Sequence, residues 1–283
     1  MCQHKVFLPV TDQVIQSHLS GADYHSNTDF VMGVYPMLPD ERCWFVAVDF
    51  DKAQWQSDVQ AFSRVCQQKQ VPHAIEISRS GQGAHIWVFF TQAIFAVEAR
   101  KLAALLLTQA MAEYPEIGFD SYDRFFPNQD TLPKGGFGNL IALPLQKKAR
   151  DQGNSIFVDE QFKPYEDQWA FLSTLKRLSP IETRQLIEQA ESNGDLLGVS
   201  MPVAEDDGEP WTLPPSRNTQ ITIQPDKLPA SLHVTQANQL FIEKQYLPPS
   251  LQNKIIRLAA FQNPEFYKAQ AMRLPTFDKP RII

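Results

Sequence analysis

CWFVAVDFD (residues 43–51), HAIEIS (73–78) and AHIWVFF (84–90) are the stretches that decide the fold. Each is short, rich in β-branched and aromatic residues, and reads as a strand. The first ends in acids. Between the first two, Trp55, Val59, Phe62 and Cys66 recur at helical spacing, which predicts an amphipathic helix over 53–70 that stops before Val71-Pro72. SRSGQG (78–83) is a Gly- and Ser-rich turn joining the second and third strands into a hairpin. Residues 95–113, rich in Ala and Leu, read as a second amphipathic helix ending near Tyr114-Pro115. The order strand, helix, hairpin, helix predicts an α+β fold with helices on one face of a sheet.

Outward from this block the texture changes. Residues 117–150, IGFDSYDRFFPNQDTLPKGGFGNLIALPLQKKAR, are dense in Gly, Pro and charge, yet aromatic. We read them as a functional loop with one strand at LIALP (140–144). Residues 166–193 read as helical. From about 202, VAEDDGEPWTLPPSRN reads as a linker. The expected organisation is a catalytic domain over 1–200, a linker over 201–226 and a mostly helical segment over 227–283.

The bulk numbers exclude little. The 283 residues are 43% hydrophobic and 20% charged, ordinary for a globular chain. No apolar run approaches the roughly 20 residues of a membrane span. Three cysteines do not suggest a disulfide framework, and a cytoplasmic location is expected. The net charge of −6 is uneven: residues 211–283 hold nine Lys and Arg against four acids, and residues 1–210 hold seventeen against twenty-eight. An acidic body with a basic tail suits a polymerase that neutralises its carboxylates with metal, and suits unrelated acidic enzymes equally well.

Three groups of residues can carry chemistry. Asp49 and Asp51 share a face by strand alternation. Two carboxylates so placed repel unless a cation lies between them, and Mg²⁺ takes one or two carboxylates plus substrate phosphates. The doublet alone serves a solvent-facing strand end just as well. In SRSGQGAHIW (78–87), Gly81 and Gly83 allow a tight backbone that presents N–H groups to an anion. Ser78 and Ser80 add hydroxyls, Arg79 a cation, and His85 a donor for phosphate. The ordinary alternative is a Gly-containing hairpin with an incidental histidine. No Walker loop occurs. Asp120, with Asp123, Arg124 and Asp130 nearby, could complete a three-carboxylate cradle. Lys134, Lys147, Lys148 and Arg150 offer phosphate contacts. The alternative there is a solvated charged loop.

Taken together, DFD, SGQGAHIW and FDSYDRFFPNQD followed by GGFGNLIALPLQKK resemble the three motifs of the archaeo-eukaryotic primase superfamily. More narrowly they resemble the primase domain of TOTE conflict systems, over roughly residues 5–200. FLPVTDQVIQSHLSG (7–21) and MGVYPMLPD (32–40) also look like that family. The resemblance implies an RRM-like antiparallel sheet with helices beside a smaller α/β unit, with the active site between them. It implies that Asp49, Asp51 and Asp120 are the catalytic, metal-binding acids, with Asp123 and Asp130 competing for the third place, and that His85 contacts the incoming triphosphate. Many relatives carry serine two residues before this histidine, where this chain has Gly83; the Ser80 hydroxyl or backbone N–H groups then take that role. The resemblance further implies a cysteine-rich segment upstream, of which Cys2 is a remnant, and a helicase region beyond the C-terminal stretch.

The implied activity is template-directed phosphodiester synthesis from NTPs or dNTPs on a single-stranded DNA template and primer, using two divalent ions, Mg²⁺ or Mn²⁺. Two other classes are open. A metal-dependent nuclease would use Asp51 and Glu76, though Ser78 stands where such a core has lysine. A non-catalytic single-strand-binding module would use the sheet itself, though clustered acids repel phosphate.

Overall fold

The computed structural model describes residues 9–23, 25–51, 53–114, 121–132, 138–193, 234–236, 240–242 and 247. In chain order the elements are α1 (Asp12–Ser20), β1 (Gly33–Val34), β2 (Arg42–Asp51), α2 (Trp55–Gln68), β3 (Ala74–Ile77), β4 (Gly83–Phe95), α3 (Ala96–Glu113) and β5 (Tyr122–Phe126). They continue with β6 (Ile141–Ala142), α4 (Lys147–Arg150), β7 (Phe157–Val158), α5 (Gln168–Thr174), α6 (Pro180–Asn193), β8 (Val234–Gln236) and β9 (Leu240–Ile242).

The main sheet has five strands in the order β5-β2-β4-β3-β7, each pair antiparallel. Alternation along β2 sends Val46, Val48 and Phe50 to one face and Ala47, Asp49 and Asp51 to the other. Ile86 and Val88 of β4 join the first set, since they pair with Val48 and Val46. The two helices cover this apolar face. Phe62 of α2 meets Phe50 edge-on, with ring centroids 5.7 Å apart, and Val59, Cys66, Leu102, Leu105 and Leu106 are buried in the same core. Burying each large side chain is worth about 1.5–3 kcal/mol. The acids therefore lie on the face away from α2 and α3.

A smaller arrangement forms around the N-terminal residues. Strand β1 pairs with β6, and α1 packs against α4. Buried His18 joins the two segments: its Nδ1 accepts from the Met32 backbone N–H at 3.0 Å, which leaves Nε2 to donate to the Pro144 carbonyl at 2.9 Å. Helix α1 starts on Thr11, whose side chain accepts from Val14 N, and ends on Gly21 in the left-handed region.

The structure differs from the sequence reading at four points. The 117–150 segment holds a main-sheet strand, β5, as well as the expected strand at 140–144, and that second strand pairs with β1 rather than with the main sheet. Strand β5 hides because it is bulged. Asp49 pairs with Arg124 but Phe50 with Tyr122, so Asp123 is an extra residue that breaks the two-residue period. Strand β4 runs on to Phe95, past the expected end at residue 90. The helical stretch 166–193 is two helices. Ser179 and Glu182 cap α6 reciprocally, each side chain accepting from the other's backbone N–H, and Pro180 fills the first helical position.

The linker over 201–226 lies outside the described residues. Within 227–283 the described residues show β8 paired with β9. Among the described residues, no helix is long and apolar enough to cross a membrane.

Cys43 and Cys66 are buried in the core. Burial, aided by the charge of Glu98, pushes the Cys43 thiol up to about 12, and burial also raises Cys66. A maleimide reagent at pH 8 is expected to leave both unmodified in the native protein and to label both in denaturant, read by mass spectrometry of the peptides. Native labelling of either would contradict this packing.

Candidate active site

Register places the functional side chains. Asp49 of β2 sits opposite His85 of β4 on one side and Arg124 of β5 on the other. His85 in turn sits opposite Glu76 of β3. Cross-strand partners point to the same face, so Arg124, Asp49, His85 and Glu76 form one row across four strands, on the face without the two long helices.

The row is graded from exposed to buried. The Arg124 side chain is 52% exposed, Asp49 18% and His85 14%, and Glu76 only 2%. His85 Nε2 lies 3.5 Å from Asp49 Oδ1, and its Nδ1 lies 3.0 Å from Glu76 Oε2. Trp87 Nε1 donates to the same Oε2 at 2.9 Å. The imidazole is also held edge-on by Trp87 and Phe126, with centroids 6.0 and 6.2 Å away.

Charge crowding sets the protonation tendencies. Burial raises the Asp49 pKa, and Asp123 and Asp51 raise it further, against the opposing pull of His85 and Arg124. Burial would lower His85, but the hydrogen bond and charge of Glu76, with Asp49, outweigh it and raise the imidazole above its ordinary value. Asp123 and Asp51 thus press on Asp49, with His85 and Arg124 opposing them.

Such a donor set suits a hard divalent cation held by one or two carboxylates, with phosphate and water completing the shell. Among the described residues, no group of three or more His, Cys, Asp and Glu is arranged to hold a metal by itself. Asp120, the expected third acid, lies outside the described residues. Of its two competitors, Asp130 is drawn away: it forms an ion pair with buried Arg100 of α3. Asp123 is in the β5 bulge, paired with Arg124 and near enough to raise Asp49.

The hairpin turn lies at the Asp51 end of the sheet, since Asp51 pairs with Gly83. Gly81 N donates to the Ser78 carbonyl at 2.9 Å, and Gly81 has φ +73°. The Ser80 hydroxyl contacts Ser78 Oγ and accepts from Gln82 N, so it serves the turn itself. Arg79 is exposed. A Cβ on Gly83 would stand 2.3 Å from the Phe50 carbonyl oxygen. This close approach of β2 to β4 is why glycine, and no serine, precedes the histidine by two.

Of the basic candidates, Lys134 lies outside the described residues. Lys147 pairs with Asp151 and Lys148 with Asp29, while Arg150 donates to the Leu19 carbonyl. The structure thus does not gather these three onto the carboxylate row. Arg124 and Glu76, outside the expected set of primase site residues, join the row instead. Arg124 enters through the β5 bulge, which no alternation count could reveal. Buried Asp58 of α2 accepts from Ser121 Oγ at 2.5 Å, and the Ser121 carbonyl accepts from Asp51 N at 2.8 Å, tying the start of β5 to the end of β2.

These features define a carboxylate–histidine site on the face of an antiparallel sheet away from α2 and α3. The family model for the archaeo-eukaryotic primase domain of TOTE conflict systems matches residues 1–186, and the chain belongs to that family. A comparison with curated proteins gives no significant match.

Replacing Gly83 by serine is expected to lower the melting temperature, by about 1–3 kcal/mol of stability, because the β2 backbone must move. An unchanged melting curve for the variant would contradict the close approach.

Proposed function

We propose that this chain is a primase-polymerase-type nucleotidyltransferase, joining NTPs or dNTPs on a single-stranded DNA template with divalent metal. The observation that carries the reading is the Asp49–His85 pair on the sheet face away from α2 and α3, with Asp51 beside it, in a chain of the primase family. The strand order β5-β2-β4-β3 around two helices supports the RRM-like reading of the sheet.

In this mechanism Asp49 and Asp51 would hold the metal, with Asp120 as the expected third ligand. Bound Mg²⁺ or Mn²⁺ supplies activation of a 3′-hydroxyl and charge neutralisation at the pyrophosphate. His85 offers Nε2 to the triphosphate from a fixed position. Arg124, half exposed beside Asp49, adds a second cation for phosphate. The turn at 78–83 brings Ser78, Arg79 and backbone N–H groups to the same end of the sheet. Template and primer affinity would come from backbone contacts and weaken with salt.

The nuclease reading needs Glu76 as a metal ligand beside Asp51. Glu76 is buried and engaged by His85, Trp87 and, at 3.4 Å, the Ser155 hydroxyl. Withdrawing it would strand those donors, which disfavours that role.

Incubation of the chain with primed and unprimed single-stranded DNA, labelled nucleotides and Mg²⁺ or Mn²⁺ tests the proposal. The wild type is expected to make product, and Asp49→Ala or Asp51→Ala to reduce it at least about 100-fold with an unchanged fold by circular dichroism. Equal synthesis by the variants would overturn the assignment. DNA cleavage without nucleotides would favour the nuclease.

A further inference from the structure

Glu76 has no assigned role in the reaction, yet a fully buried carboxylate is costly unless its oxygens are satisfied. Here they are, and unevenly. Oε2 takes two donors, Trp87 Nε1 at 2.9 Å and His85 Nδ1 at 3.0 Å, while Oε1 has the Ser155 hydroxyl at 3.4 Å. An indole N–H only donates, so Trp87 pins Oε2 as an acceptor. His85 Nδ1 must then carry a proton to approach the same oxygen. The ring's other nitrogen, Nε2, is left facing Asp49 at 3.5 Å, on the side where substrate phosphate would lie. Every link sits on paired strands: Glu76 opposite His85 and Ala74 opposite Trp87, all on β3 and β4.

Resting on the nucleotidyl-transfer reading, we propose that Glu76 is a positioning residue: it accepts from His85 Nδ1–H and so holds the ring, protonated on both nitrogens, with Nε2–H aimed at the incoming triphosphate. A carboxylate behind a metal-ligating histidine fixes the ring's orientation, and its removal costs about 10- to 100-fold in metal affinity or activity; a loss on the same scale is expected for a histidine that holds phosphate. Glutamate at this position is more than a partner for the Trp87 indole, because a neutral amide would satisfy that donor as well.

The test is a double-mutant cycle on the full chain with Glu76→Gln, His85→Ala and both together. ATP and dATP binding with Mn²⁺ is measured by calorimetry, and KM and kcat by primer extension. Glu76→Gln is expected to weaken nucleotide binding and raise KM about 10-fold or more, with a smaller effect on DNA binding. In the His85→Ala background the same change is expected to cost less than about twofold, because the group it acts through is gone. An equal loss in both backgrounds would show that Glu76 acts on the fold, and would overturn the proposal. A wild type that binds no nucleotide would instead sink the functional reading. In that case, ¹⁵N-histidine NMR of the wild type still decides the coupling. A protonated Nδ1 on His85, lost or altered in Glu76→Gln, supports it. An unprotonated Nδ1 in the wild type overturns it, whether or not the variant folds.

Discussion

The antiparallel register of β2 against β4 is the constraint on which the site depends. Asp49 faces His85, and Val48 faces Ile86, because the two strands pair in this register. A slip of one residue would turn the carboxylates toward α2 and α3 and expose Phe50 and Val48 to solvent. The hydrophobic face thus enforces the polar one. Phe50 packed on Phe62 fixes where Asp49 and Asp51 point. Gly83 completes the arrangement by letting the two backbones approach at Asp51, where any Cβ would collide with the Phe50 carbonyl.

On the polar face, burial and like charge act in the same direction. Asp49 is disfavoured as an anion by both, while Glu76 lies deeper and its oxygens have three hydrogen-bond partners. The difference separates two kinds of carboxylate in one row. The one with satisfied oxygens is committed to orienting a neighbour, and those that repel one another, Asp49 and Asp51 with Asp123 beside them, are the ones for which a hard cation relieves a real electrostatic cost. His85 stands between the two kinds and touches both.

Much of this was legible in the amino-acid sequence. The strands at 43–51, 73–78 and 84–90 and the helices between and after them follow from periodicity, and Asp49, Asp51 and His85 stand out at their ends. What escaped did so for stated reasons. The Asp123 bulge destroys alternation in YDRFF, so β5, and with it Arg124, was hidden inside a charged loop. Glu76 of HAIEIS stands out in the sequence only as a metal ligand for the nuclease alternative, because nothing in a linear pattern shows that its neighbours His85 and Trp87 will aim two donors at one oxygen. The capping box at Ser179 and Glu182 was readable and marks the break between α5 and α6. The choice among Asp120, Asp123 and Asp130 needed tertiary contacts. Asp130, for one, is held in an ion pair by buried Arg100, thirty positions before it.

Anomalous diffraction from crystals soaked with Mn²⁺ and a non-hydrolysable nucleoside triphosphate tests the central claim most directly. The account predicts manganese at the Asp49 and Asp51 carboxylates, with a triphosphate oxygen against His85 Nε2 and Glu76 still bound to Nδ1. Manganese and nucleotide seated elsewhere, with the Asp49–His85 row unaltered, would contradict it.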